Sequence, residues 1–198
     1  MLATPLTTLC LQIAEDDDEA AFGEIFKLFY PRLLLFAQAI LKSRELAEEV
    51  VEDVFLKLWE NRKMLPAIKN LHYYLLVAAK HKALDYLEKM KRQAVISLDD
   101  VDVAFGEITI NPENSMISAE TIRIIQTIIE TLPPRCKLIF RLVKEDGLKY
   151  REVAELLNIS IKTVETQMSL ALTKIGTALQ SRLPSWQALY TAHQKKGL

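Results

Sequence analysis

The sequence predicts an all-helical protein built as two helical domains joined by a flexible acidic linker. Three observations carry that expectation. Only five glycines occur in 198 residues. No valine- or isoleucine-rich run alternates as a strand does. Apolar residues recur instead at three- and four-residue spacings, the period of one helix face. Half of the chain is hydrophobic, which is enough for a real core in one large or two small domains.

Taken in chain order, the first residues hold a few apolar side chains and then run into Glu15, Asp16, Asp17, Asp18 and Glu19. With no basic start and no long apolar stretch, they are expected to be neither a secretory signal nor a membrane span. A helix is expected over Ala20–Tyr30 and another over Arg32–Leu41, separated by Pro31, which lacks a donor and clashes with the turn before it. A third spans Glu45–Asn61 and, past the Pro66 region, a fourth spans Leu71–Lys91. Ser97 to Ser118 contains Asp99, Asp100, Asp102, Gly106, Glu107 and the pair Asn111–Pro112, with poor helical periodicity, and is expected to be an interdomain linker. Beyond it come a helix over Ala119–Thr131, stopped by Pro133–Pro134, and one over Arg135–Glu145, closed by Asp146–Gly147. The tail from Pro184, with Trp186 and Tyr190, is expected to pack on its domain. The expected division is therefore 1–95, 96–118, 119–183 and 184–198.

Tyr150 to Ile175 (YREVAELLNISIKTVETQMSLALTKI) has the pattern of a helix-turn-helix. Val153, Ala154 and Leu157 form one short apolar stripe, and Val164, Met168, Ala171 and Ile175 form a second. Between them Asn158 suits a left-handed corner, Ile159 fills the angle, and Ser160 can cap the helix that follows. Small Ala154 fits where the helices cross. The outward face of the second helix is then Ile161, Lys162, Glu165, Thr166, Ser169 and Leu170, placed to enter a major groove of duplex DNA. An ordinary helical hairpin would show the same stripes.

The net charge of −1 conceals an uneven distribution. Residues 1–95 carry 13 basic and 14 acidic groups, residues 96–120 carry none and 6, and residues 121–198 carry 12 and 6. The C-terminal segment is thus basic and is preceded by an acidic stretch, as suits a nucleic-acid binder whose linker stays off DNA. Cys10 and Cys136 have no CxxC or histidine companion at ligand spacing and are expected to be small buried hydrophobes. No metal cluster, paired carboxylates, nucleophile–base set or glycine-rich phosphate loop stands at usable spacing, so neither an enzyme nor a cofactor is expected.

Two segments carry further chemistry. AEEVVEDVFLKLWENR, Ala47 to Arg62, has more apolar surface than one buried stripe requires: Val50, Val51, Val54, Phe55, Leu56, Leu58 and Trp59. Either this helix is central in its bundle, or one flank meets another protein. Glu45, Glu48, Glu49, Glu52 and Asp53 rim it and would suit a partner presenting arginines. The fourth helix carries Lys80, Lys82, Lys89, Lys91 and Arg92 after Tyr73 and Tyr74. Cations beside aromatic rings are what unpaired nucleic acid needs, although a solvated basic face and core tyrosines would leave the same pattern.

The order AFGEIFKLFYPRLLLFAQAIL, AEEVVEDVFLKLWENR, NLHYYLLVAAKHKALDYL, a linker, and TLPPRCKLIFRLVKEDGLKYREVAELLNISIKTVETQMSLALTKI resembles an extracytoplasmic-function RNA polymerase sigma factor of the sigma-70 family, over about 20–95 and 119–178. The resemblance implies a first domain that binds core RNA polymerase and captures unpaired promoter bases near the −10 element, and a second that reads the −35 duplex. It places Asp53, Phe55, Leu58 and Trp59 in the polymerase-binding helix. It places Lys63, Lys69 and Asn70 in the base-capture loop, with Tyr74, Lys80, His81, Lys82 and Asp85 on the following helix facing the opened strand. Glu52 and His81 stand where the family commonly has Gln and Asn. Imidazole can donate, accept or stack, so base contact by His81 is still expected while the identity of the base is left open, a solvated surface histidine being the alternative.

For the −35 element the resemblance implies Lys149, Arg151, Lys162, Glu165, Thr166, Ser169, Leu170 and Lys174. Glu165 can accept from a cytosine amino group, and Thr166 and Ser169 can bond several base edges. Leu170 either reads a thymine methyl or packs. With few cations on this helix, Lys137, Arg141, Lys149 and Arg151 are expected to supply phosphate contacts. The resemblance further implies a cytoplasmic protein that enters no membrane, promoter DNA as ligand, and an anti-sigma partner, often membrane-anchored. The main alternative is a dimeric helix-turn-helix regulator with an N-terminal sensing bundle, which binds a symmetric duplex without polymerase. A second is an adaptor whose basic helices meet only acidic protein surfaces.

Overall fold

A computed structural model describes residues 5–93 and 119–182. The chain divides into two compact units, Met1–Ile108 and Thr109–Leu198, and every regular element among the described residues is helical. The linker acids Asp99, Asp100 and Asp102 and the tail with Trp186, Tyr190 and His193 lie outside the described residues. Among those described, no helix is long and apolar enough to cross a membrane.

The first unit holds α1 (Leu6–Asp16), α2 (Glu19–Leu41), α3 (Arg44–Glu60), a 3-10 turn (Arg62–Ala67) and α4 (Leu71–Gln93). Helix α1 has no counterpart in the sequence expectation. Leu6, Leu9, Cys10 and Ile13 nonetheless stand at helical spacing, with Cys10 and Ile13 buried. Asp17, left-handed at φ 54°, ends α1, and Asp18 caps α2 by accepting from the Ala20 and Ala21 amides at 2.9 and 3.0 Å. Ser43 caps α3 the same way, taking the Leu46 amide at 3.2 Å.

Pro31 does not break the second element: α2 is one helix across it. The missing amide and the ring clash disfavour an interior proline by about 3 kcal/mol. Phe29, Leu33 and Phe36 on the two sides of Pro31 are buried, at about 1.5–3 kcal/mol each. Burial therefore outweighs the proline, whose own ring faces solvent.

The core of this unit is the shared interior of α2, α3 and α4. Ile25 and Leu33 of α2, Val50 and Val51 of α3, and Leu75 and Leu76 of α4 are all fully buried there. An aromatic cluster lies beside it, with Phe26 centred 4.7 Å from both Tyr30 and Phe55 and Phe22 5.0 Å from Trp59. His72 packs its ring against Phe29 at 5.2 Å.

The second unit holds α5 (Ala119–Glu130), α6 (Pro134–Lys144), α7 (Tyr150–Leu157) and α8 (Ile161–Arg182). Pro134 opens α6 rather than stopping α5, since the first turn of a helix needs no amide there. Gly147, at φ 70°, turns the chain out of α6, and the Leu148 amide bonds back to the Leu142 carbonyl at 3.0 Å. Helix α8 runs against α5, α6 and α7 and buries Val164, Met168, Ala171 and Ile175, as its spacing predicts. On α7 the buried trio is Val153, Ala154 and Leu156, with Leu157 only half-buried. The Cys136 thiol donates to the Gln167 carbonyl at 3.3 Å, tying α6 to α8. Both cysteines are buried, and burial raises each thiol pKa.

Candidate nucleic-acid interface

Helices α3 and α4 run antiparallel, and their facing side chains form a polar ladder. Tyr86 donates its hydroxyl to Glu49 at 3.0 Å, and the Lys82 ammonium reaches Asp53 at 2.8 Å. Each step of four residues forward on α3 is matched by four backward on α4, so the next pair in register is Lys57 with Ala78. A methyl group cannot span that gap. A groove of about 250 Å³ opens there, walled on α3 by Asp53, Val54, Lys57 and Leu58. On the α4 side it is walled by Tyr74, Ala78, His81, Lys82 and Asp85.

Four residues expected to face an opened strand, Tyr74, His81, Lys82 and Asp85, thus share one groove with Asp53, which was expected on a protein-docking flank. Lys57 was not foreseen; its signal was its place one helical turn after Asp53. Its lining combines buried, apolar Val54 and Leu58 with the Tyr74 ring and with the donors and acceptors of Asp53, Lys57, His81, Lys82 and Asp85. That combination suits a flat heterocycle with hydrogen-bonding edges. The hydrogen bond that Lys82 donates to Asp53 raises the lysine pKa above its ordinary value, desolvation opposes the rise, and the charges of Asp53, Asp85 and Glu49 add to it. Tyr86 is raised likewise, first by its bond to Glu49.

The loop leading to α4 is braced at both ends. Arg62 pairs with Asp17, lies over the Trp59 ring at 4.7 Å and donates to the Trp59 carbonyl at 3.1 Å. The bond from Arg62 holds the Asp17 carboxyl below its usual range. Leu65 is buried in the middle of the turn, and Asn70 caps α4 by accepting the Tyr73 amide at 3.0 Å. Lys63 and Lys69 project to solvent, outside the groove lining. Half-buried Lys80 also lies outside that lining.

The flank expected to dock a protein needs correction. Phe55 and Leu58 are buried in the bundle, and Trp59 is half-buried against Phe22 and Arg62. The solvent face of α3 is instead Glu45, Glu52, Leu56 and Glu60, on which Leu56 is 58 % exposed. The extra apolar residues are explained by centrality for Phe55 and Leu58, whereas Leu56 is free for contact.

In the second unit the corner between α7 and α8 is built as the sequence predicts. Asn158 is left-handed at φ 53°, the Ile159 amide bonds the Ala154 carbonyl at 3.0 Å, and Ser160 caps α8 through the Thr163 amide at 3.0 Å. Glu152 reaches back to the Lys149 amide at 2.7 Å, leaving the exposed lysine ammonium to solvent. Lys162, Glu165, Thr166, Ser169, Leu170 and Lys174 are all exposed on α8. Lys162 leans on Glu165 at 3.2 Å, and Thr166 donates to the Lys162 carbonyl at 2.9 Å. Arg151 is exposed and pairs with Glu155 at 3.0 Å.

Lys137 and Arg141 are not phosphate contacts. Each is only 7 % exposed, and both close on Glu130 of α5, Lys137 at 3.1 Å. They staple α5 to α6.

Residues 25–93 match the family model of sigma-70 region 2, and residues 122–175 match that of sigma-70 region 4. The chain is 26% identical over 173 residues to the ECF RNA polymerase sigma-E factor of Escherichia coli (strain K12), covering 82% of this chain and 88% of that protein. It is 24% identical over 161 residues to the ECF RNA polymerase sigma factor SigW of Bacillus subtilis (strain 168), covering 76% and 84%. Among solved structures, the sigma factor RpoE in complex with the anti-sigma factor NepR from Bartonella quintana aligns with TM-score 0.47 and 19% identity. That alignment covers 80% of this chain and 96% of the other.

Proposed function

Because the chain belongs to the extracytoplasmic-function sigma factors of the sigma-70 family, we propose that it divides promoter recognition between the α3–α4 groove and the exposed face of α8. As a member of that family it is a transcription-initiation factor that joins core RNA polymerase and directs it to promoters. Its work is binding. Glu45, Glu52, Leu56 and Glu60 form the polymerase-docking face, with Trp59 at its edge and Phe55 and Leu58 holding α3 from within. Lys63, Lys69, Asn70 and Lys80 guide the opened −10 strand towards Tyr74, His81, Lys82 and Asp85. An unstacked base enters above Val54 and Leu58, and its contacts offset an unstacking cost of a few kcal/mol. Lys162, Glu165, Thr166, Ser169 and Leu170 read the −35 bases, while Lys149, Arg151 and Lys174 meet phosphates.

The observation supporting this division most directly is that Tyr74, His81, Lys82 and Asp85 line one groove. We further place the protein in the cytoplasm and assign it an anti-sigma partner. Run-off transcription from a genomic promoter library, with core polymerase with and without the protein, tests the proposal. New starts sharing two spaced elements are expected, lost on Leu56→Arg for want of docking and on His81→Ala for want of opening. Tight binding of the protein alone to a symmetric duplex, with no new starts, overturns it in favour of a dimeric regulator.

A further inference from the structure

We propose that Asp53 is a residue of the strand-capturing groove rather than of the polymerase-docking face, positioning Lys82 and withholding that cation from phosphate so that the groove selects bases instead of gripping backbone. The inference rests on the base-capture reading above. Asp53 is half-buried on the side of α3 that faces α4, while Glu52 and Leu56 stand on the solvent side. Its carboxylate holds the Lys82 ammonium at 2.8 Å. Asp85 lies on the same wall, and Glu49 sits one rung further along the ladder.

A groove made to grip a polyanion would leave its lysines unpaired, since every phosphate contact is a released counterion and a gain independent of sequence. Here Lys82 is met by carboxylates. Around that ion pair the groove keeps both kinds of group a base edge needs: the carboxylate of Asp85 to accept from amino groups, Lys57 and His81 to donate to carbonyl and ring nitrogens. A phosphate offers only acceptors and finds the Lys82 ammonium already paired. Asp53 therefore trades strand affinity for base discrimination, acting through Lys82.

The test uses holoenzyme assembled from core RNA polymerase and the full chain, titrated with fluorescent single strands of twelve nucleotides: dA12, dC12, dT12 and an abasic strand of equal length. Asp53→Asn should tighten binding of the abasic strand roughly threefold at low salt and steepen its logarithmic salt slope by about 0.7, one phosphate contact. Base-bearing strands, whose bases already occupy the groove beside Lys82, should gain less, so their preference over the abasic strand should fall. In a Lys82→Met background Asp53→Asn should change neither quantity. An unchanged slope and preference, the same change without Lys82, or a loss of affinity for core polymerase would each overturn the role assigned to Asp53. Lys57→Ala and His81→Ala report base capture itself. If neither weakens the base-bearing strands, the base-capture reading falls first.

Discussion

Replacing Glu130 by alanine should unfasten the second unit, and the structure allows the loss to be estimated. The carboxylate bonds Lys137 at 3.1 Å and pairs with Arg141, two cations each 7 % exposed. Removing one partner of a buried ion pair costs about 3–5 kcal/mol, because the surviving charge stays buried without its counter-charge. Glu130 is itself 36% exposed, and Glu145 remains 3.8 Å from Arg141. The expected loss therefore lies lower, at about 2–3 kcal/mol. A unit of this size has roughly 3–9 kcal/mol of stability, so the variant should sit close to unfolding. Native-state hydrogen exchange of the full chain, followed on peptides across α6, measures the change directly. A loss below about 1 kcal/mol would refute the staple. Replacing all three charges together, by Glu130→Leu, Lys137→Met and Arg141→Leu, should recover most of the loss. Lys137→Met alone should leave the salt slope of −35 duplex binding unchanged, which separates a packing lysine from a phosphate-binding one.

Phe55→Ala should cost about 3–5 kcal/mol of stability, whereas Leu56→Ala should stay within about 0.5 kcal/mol of the parent and yet weaken core polymerase binding; denaturant melts and a polymerase pull-down distinguish them. Glu165→Gln should shift the −35 preference at one position from cytosine towards adenine by about 1–3 kcal/mol, measured by competition among duplexes differing at that base. Arg62 depresses the Asp17 pKa, so their pairing contributes stability above the unfolded carboxylate value, near pH 4, and loses it as pH falls through the lower folded value. Acid exchange of the turn at Arg62–Ala67 should accordingly rise below about pH 4, and Asp17→Asn should abolish that dependence.

Periodicity made much of the fold legible. The stripe of Val164, Met168, Ala171 and Ile175 and the corner at Asn158 and Ser160 are local features, decided within a few residues, and the structure has them where spacing puts them. Other features depend on what lands opposite. Pro31 looked like a boundary because its penalty is local, whereas Phe29, Leu33 and Phe36 oppose it through distant partners. Leu156 and Leu157 are adjacent leucines on an eight-residue helix, and only the packing of α8 decides which turns inward. Lys137 and Arg141 carried the look of a phosphate-binding face; the carboxylate that captures them comes from the preceding helix. Within the groove, aromatic and basic residue types pointed to α4, while the contribution of α3 awaited the register between the two helices. The helix over Leu6–Asp16 was within reach, its apolar spacing regular but its two threonines easily taken for loop.

The missing third rung between Lys57 and Ala78 has a consequence for how this protein competes with its relatives. Cells carry a limited pool of polymerase, and every sigma factor holding a copy denies it to others. Ala78 lies inside the groove and away from the solvent face of α3, so a larger side chain there should fill the space without touching the docking surface. Ala78→Leu would then produce a chain that occupies polymerase and parks it on −35 duplexes without melting a promoter. Expressed beside the parent it should act as a dominant inhibitor, its strength set by copy number. Permanganate reactivity of thymines would remain at the closed-duplex level while polymerase footprints persisted. On the proposed base capture, one small side chain would then separate an initiating factor from a sequestering one.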